Sequence, residues 1–200
     1  MRNGIVTVET EIDYEENAYM MVIHGASIKG AVCDMAVNAE WLTMPAIRSY
    51  DSVGACGQYL DCLPGTGTCE VSYERKEIVP GGTHEDTISR PISNIQLAND
   101  NGWAGMAAVF KLPEDIVSPE QTILYSGFYV EFGYKGEITL PDQRVNFNTI
   151  GSYTHATIRL TASPSISIST GGIDAGIGIS IAIFKDKMSV WLALNYVPAT

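Results

Sequence analysis

Few residues in this chain carry groups able to do chemistry, and they lie far apart. The cysteines are Cys33, Cys56, Cys62 and Cys69, the last three at spacings C-x5-C and C-x6-C. A zinc knuckle needs two thiolates on one tight turn, which a C-x2–4-C spacing supplies. That spacing is absent, so no metal centre is expected. Two readings stay open: free, partly buried thiols, as suits a reducing compartment, and a disulfide among Cys56, Cys62, Cys69 and Cys33, as suits an oxidising one.

The histidines are His24, His84 and His155. His84 precedes Glu85 and Asp86, a grouping that suits acid–base or metal work and equally suits an exposed polar loop. A β-fold hydrolase would use His84 or His155 beside a carboxylate. The chain has no G-x-S-x-G elbow and no recognisable Cys–His signature. The glycines at 54–57 and 65–67 lack the Lys-Ser/Thr of a phosphate loop, so they read as turn formers. Glu15-Glu16, Glu85-Asp86 and Glu114-Asp115 read as solvated loop charges. Asn99-Asp100-Asn101-Gly102 is a fragment of a calcium loop and a complete turn signal. These residues imply no catalytic group, no metal and no cofactor, and the expected class is non-enzymatic.

Aromatic side chains are the remaining candidates. Trp41, Trp103, Trp191, Tyr125, Phe128, Tyr129, Phe132 and Tyr134 could present a ring to the apolar face of a sugar, with polar neighbours taking its hydroxyls. Tyr125, Tyr129 and Phe132 fit a core strand as well. Trp191 differs, because it falls on a face otherwise made of small residues.

The elements that would position these groups are strands. Residues 5–9, 19–24, 69–76, 92–98, 122–134 and 144–150 read as β on alternation and on β-branched and aromatic content. Residues 31–42 read as a short helix on their Ala, Met and Leu, stopped by Pro45. Residues 51–69 and 81–91 read as loop on their Gly, Cys and polar content. The last third alternates with period two. Ala156, Ile158 and Leu160 alternate with Thr157, Arg159 and Thr161, and Ile166 and Ile168 alternate with Ser165, Ser167 and Ser169. Ile177, Ile179, Ile181 and Ile183 alternate with Gly178, Ser180 and Ala182. After a hairpin tip at 184–188, Met188, Val190, Leu192, Leu194 and Tyr196 alternate with Ser189, Trp191, Ala193 and Asn195. The large aliphatic face is core. The small face, Gly178, Ser180, Ala182, Ser189, Trp191 and Ala193, is the candidate interface, because small residues admit close approach by another subunit. The expected fold is mainly β, an antiparallel β-sandwich or jelly-roll-like fold, with at most one or two short helices in the first third. A single domain over 1–200 is expected, with a weaker division between an irregular Cys-bearing part (1–85) and a regular β part (90–200).

Composition narrows the function. Hydrophobic residues make up 46% of the 200, enough for a sizeable core, and the formal net charge is −11. Such a surface repels phosphate, so nucleic acid and anionic membrane are disfavoured. The low-charge stretch 160–184 is interrupted by Pro164, Gly171-Gly172 and Asp174, so it is no membrane helix, and no membrane insertion is expected. The N-terminal residues carry no Sec signal, which leads to the expectation of a protein made in a cytoplasm and kept there or packaged into a virion. The expected function is a structural or interaction component of a virion, by class that of a phage: a capsid decoration, head fibre or tail-tip receptor binder. Its expected partners are other protein subunits in a homo-oligomer such as a trimer. A carbohydrate-binding sandwich that takes a host-surface glycan is the alternative, and a β-fold hydrolase the second.

Overall fold

The structure, a computed structural model, describes residues 8–169, 172–176 and 186–198. Among them it is all β, with no helix. The strands are β1 (Val8–Glu16), β2 (Met20–Lys29), β3 (Val32–Trp41), β4 (Tyr50–Gln58), β5 (Leu60–Cys62), β6 (Thr68–Val79), β7 (Gly82–Pro91) and β8 (Ile95–Asp100). They continue with β9 (Trp103–Lys111), β10 (Ile116–Val117), β11 (Thr122–Ile138), β12 (Val145–His155), β13 (Ser165–Ser169), β14 (Gly172–Gly176) and β15 (Asp186–Tyr196).

Every pairing between them is antiparallel. The first sheet runs β1-β2-β3-β11-β6-β7, with β5 and β10 paired to the long β11. The second runs β15-β12-β4-β9-β8. The two pack face to face, and their inward residues alternate with outward ones, as a sandwich requires. Val22, Val37, Trp41, Phe128 and Val130 come inward from the first sheet, and Val53, Met106, Phe147, Tyr153 and Leu194 from the second. Burying each large apolar side chain here contributes about 1.5–3 kcal/mol. The Tyr134 hydroxyl spans the layers and donates to the Ala55 carbonyl at 2.8 Å.

The hairpin β13–β14 forms a third, small layer. Ile173 packs with Cys56, Ala107 and Ile150 on the outer face of the second sheet, and Trp103, Ile166 and Ile168 pack around them.

Several sequence expectations are corrected. Residues 31–42 are not helical; they are β3, where Cys33, Met35, Val37, Ala39 and Trp41 are buried at every second position. Alternation across a half-buried surface overrides the helix propensity of Ala and Met. Residues 51–69 are mostly strand, β4, β5 and the start of β6, and only 63–67, around Pro64-Gly65, form the expected turn. Gly54, Gly57 and Gly67 sit where facing atoms leave no room for a side chain. A Cβ at Gly54 would stand 2.5 Å from the Ala107 Cβ. Residues 81–91 are also a strand, β7, held along its length by β6. In the other direction, the alternating residues 156–160 form no strand here, since β12 ends at His155. The turn at 99–102 is as expected: Asn101 (φ 47) and Gly102 (φ 81) take the positive dihedrals of a two-residue hairpin loop between β8 and β9. The alternating 177–183 segment and the first part of the tip at 184–188 lie outside the described residues.

Candidate functional site

Register decides which side chains share the outer face of the second sheet. Ile150 faces Trp191 on β15 and Cys56 on β4, and Cys56 faces Gly105 on β9. One step along, Asn148 faces Ala193, and Gln58 faces Trp103. Trp103 and Trp191 thus stand three strands apart, about 14 Å at the usual spacing of paired strands. Their ring centroids are nevertheless only 6.4 Å apart, at an interplanar angle of 82°. The two indoles must therefore lean toward each other over β12 and β4.

Beside them the Asn148 amide nitrogen donates to the Gln58 carboxamide oxygen at 2.9 Å. Trp191 keeps 53% of its surface exposed. Ala193 and Asn195 are exposed and Ser189 half-buried, while Val190, Leu192, Leu194 and Tyr196 are buried. The core face and the outward small face of the last strand lie as the alternation predicted. Of the six interface candidates, Ser189, Trp191 and Ala193 share this outward face; Gly178, Ser180 and Ala182 lie outside the described residues. Gln58 and Asn148 were not singled out from sequence. The only signal for Asn148 is that Val145, Phe147 and Thr149 face the core, which turns their neighbours outward.

A second polar constellation lies inside the sandwich at one end. Asp51 on β4 accepts from His155 Nδ1 at 2.7 Å, and the Tyr153 hydroxyl donates to its other oxygen. Trp41 Nε1, from the opposite sheet, donates to the Tyr153 hydroxyl at 3.1 Å. The His155 ring stands edge-on to the Trp41 ring at 4.9 Å. Burial pushes the Asp51 carboxyl up, and the hydrogen bonds from His155 and Tyr153 draw it partly back. Burial first, and Asp51 second, drive the Tyr153 phenol far above its ordinary range. A cavity of about 450 Å³ opens beside the network, lined by Tyr19, Met20, Trp41, Met44, His155 and Lys187 among others. Lys187 is ion-paired with Asp174. Trp41 belongs to one sheet and its three partners to the other, so the network clasps the two layers. Sequence reasoning named His155 but not Asp51 as its partner, because only strand pairing brings positions 104 residues apart together.

The other candidates separate. His24 is buried, with Nε2 2.8 Å from the Thr149 hydroxyl and Nδ1 2.9 Å from the Ala36 carbonyl oxygen; burial lowers its pKa to about 4. His84 is exposed on β7, and its neighbours are engaged elsewhere: Glu85 with Lys76 at 2.9 Å and Asp86 with Arg75 at 3.7 Å. The cysteines are free thiols, buried at Cys33, Cys56 and Cys69 and half-buried at Cys62. Burial pushes the first three up to about 12 and Cys62 up to about 11. Among the described residues no group of His, Cys, Asp and Glu is placed to hold a metal ion.

No protein-family description matches the chain, and no curated protein matches it in sequence. Among solved structures it is similar to the KRT10-binding region domain of the pneumococcal serine rich repeat protein PsrP, at 9% identity and a TM-score of 0.39, over 92% of this chain and 98% of that one. A structure described as a pore forming protein shares 8% identity at a TM-score of 0.29, over 94% of this chain and 90% of that one. The pilus backbone RrgB from Streptococcus pneumoniae shares 9% identity at a TM-score of 0.29, over 96% of this chain and 80% of that one. At these values the likeness carries no residue, ligand or activity over to this chain.

Proposed function

We propose that this chain is a non-enzymatic interaction protein that recognises a neutral saccharide on a surface through the outer face of its second sheet. The observation that carries this reading is the indole pair, with Trp191 half in solvent and braced edge-on by Trp103 above the Gln58–Asn148 carboxamide pair. An indole stacks on the C–H face of a sugar ring, while fixed carboxamides offer both a donor and an acceptor to its hydroxyls. A net charge of −11 selects against anionic sugars at long range.

As a component of a virion, a tail-tip receptor binder or a head fibre would use the face in this way. A capsid decoration protein would set the same face against protein, as a homo-oligomer would against its own copy. Tryptophan fluorescence titrated with a panel of neutral glycans distinguishes these. Saturable quenching that is lost in Trp191→Ala supports recognition of sugar. No response across the panel, together with a native mass by light scattering that falls on Trp191→Glu, would replace it with a subunit interface.

A further inference from the structure

The hairpin β13–β14 belongs to neither large sheet. Its ties to the rest of the chain run through side chains. Ile173 sits on Cys56, Ala107 and Ile150. The Ser152 hydroxyl donates to the Ile173 carbonyl at 3.2 Å. Gln96 donates to the Pro164 carbonyl at 3.2 Å and accepts from the Ile166 N–H at 3.1 Å. Asn94 donates to the Ser163 hydroxyl at 3.0 Å, and Lys187 pairs with Asp174. Among the described residues no backbone ladder joins this hairpin to another strand. An isolated two-stranded hairpin is marginal in water, so its position rests on these contacts.

Its register is the telling feature. In β12–β15, Val145 faces Tyr196, Thr154 faces Lys187 and His155 faces Asp186, each step forward on one strand matching one step back on the other. Carried past His155 and Asp186 without a shift, that pairing arrives at Ser165 opposite Gly176, Ile168 opposite Ile173 and Ser169 opposite Gly172. Those are the pairs that β13–β14 makes. One register therefore governs both ladders, although residues 156–164 form no strand between them.

The sequence of the intervening legs fits the same register. On the first leg Ile158, Leu160, Ala162, Pro164, Ile166 and Ile168 alternate with Thr157, Arg159, Thr161 and serines. On the second, Ile173, Ala175, Ile177, Ile179, Ile181 and Ile183 alternate with Asp174, glycines, Ser180 and Ala182. In that pairing, from Ile158 opposite Ile183 onward, apolar meets apolar on one face, and small or polar meets small or polar on the other; only Thr157 opposite Phe184, at the outer end, departs from it. The two charges, Arg159 and Asp174, both fall on the polar face. Each leg, 157–169 and 172–184, is longer than the roughly 9–11 residues with which a tilted strand crosses a bilayer. The absence of a membrane helix does not bear on this, because strands of alternating polarity cross as members of a barrel.

We propose that residues 157–184 are a membrane-inserting β-hairpin that extends the β12–β15 ladder when it inserts; before insertion its described strands, 165–169 and 172–176, lie against the second sheet. This activity goes beyond saccharide recognition and does not depend on it. A lone hairpin has two open edges, which hydrocarbon does not tolerate, so several copies must each contribute one hairpin to a closed barrel. The smallest single-chain barrels have about eight strands, which sets a floor of about four copies. Release breaks the side-chain ties above and leaves both sandwich ladders intact.

The test uses the full chain, tethered by an N-terminal histidine tag to nickel-chelating lipid in phosphatidylcholine vesicles loaded with a self-quenching dye, so that no receptor is required. Single cysteines at successive positions 158–169 carry an environment-sensitive fluorophore. The expected result is dye release, crosslinked species of four or more chains, and probe emission that shifts to the blue at every even position only. Ile168→Asp should slow release by about tenfold or more, and Ser167→Asp by about twofold at most, since only the first puts charge on the lipid face. Circular dichroism before tethering confirms that both variants are folded. Vesicles that stay sealed, with emission that does not alternate along the leg, would overturn the proposal, and so would release with equal sensitivity at both positions.

Discussion

Gly105 lies directly beneath Ile173: a Cβ built on the glycine would stand 2.8 Å from the isoleucine Cδ1. The same Cβ would meet the Ala55 carbonyl oxygen at 2.4 Å and the Cys56 Cβ at 2.7 Å. The third layer thus rests on a sheet surface made flat by the absence of a side chain. Gly105→Ala should destabilise the protein by about 1–3 kcal/mol, the usual cost of overpacking a filled site. Urea denaturation measures it, and an unchanged midpoint would mean that the layer sits less closely than described.

The clasp between the sheets predicts a second loss. Tyr153→Phe removes the hydroxyl that donates to Asp51 and accepts from Trp41 Nε1. Two buried polar groups then lose a partner, at a cost of about 1–3 kcal/mol. Trp41→Phe removes the donor from the other sheet and also leaves a cavity in the core, so it should destabilise as well. Equal stability of Tyr153→Phe and the parent would show that the network is not a clasp.

His24 gives a pH dependence with a definite sign. Its folded pKa, lowered to about 4 by burial, lies below the ordinary value of 6.5, so the unfolded chain takes up a proton first. The stability it contributes is full above pH 6.5 and is lost as pH falls toward 4, up to about 3 kcal/mol. His24→Gln should flatten that part of the pH profile. Denaturation midpoints of both proteins at pH 7 and pH 4.5 check this, and parallel profiles would refute it.

The thiols should be inert while the chain is folded. At pH 8 a thiol with a pKa of about 12 is ionised in roughly one molecule in ten thousand. An aromatic disulfide reagent should label none of the buried three within minutes and all four cysteines in denaturant. Cys62, half-buried and pushed up only to about 11, should react first. Rapid labelling of Cys33 or Cys69 in the native protein would contradict their burial.

The alternation of the last strand was legible because hydration acts on every second residue: Val190, Leu192 and Leu194 turn inward and Trp191 outward. The strands at 50–62 and 82–91 were not legible, for opposite reasons. The first is buried on both faces and filled with small residues, so it shows no alternation. The second is exposed on nearly every residue and, Ile88 apart, carries no large apolar side chain. In both, neighbouring strands impose the extended form. The site residues follow the same division. Trp191 announces itself as a large ring among small residues. Gln58 and Asn148 acquire meaning only once β4 and β12 lie side by side, and Asp51 only once β4 meets β12 at His155.

β7 ends the first sheet with ten residues whose outer backbone groups no described strand covers. Such an edge can template the growth of fibres by adding chain after chain. Here the edge carries Glu85, Asp86 and Arg90, closes on Pro91, and turns its one large aliphatic side chain, Ile88, against the core. Charge and proline make it a poor seed, so a concentrated solution of this protein is guarded against fibrillar aggregation at this edge of its first sheet.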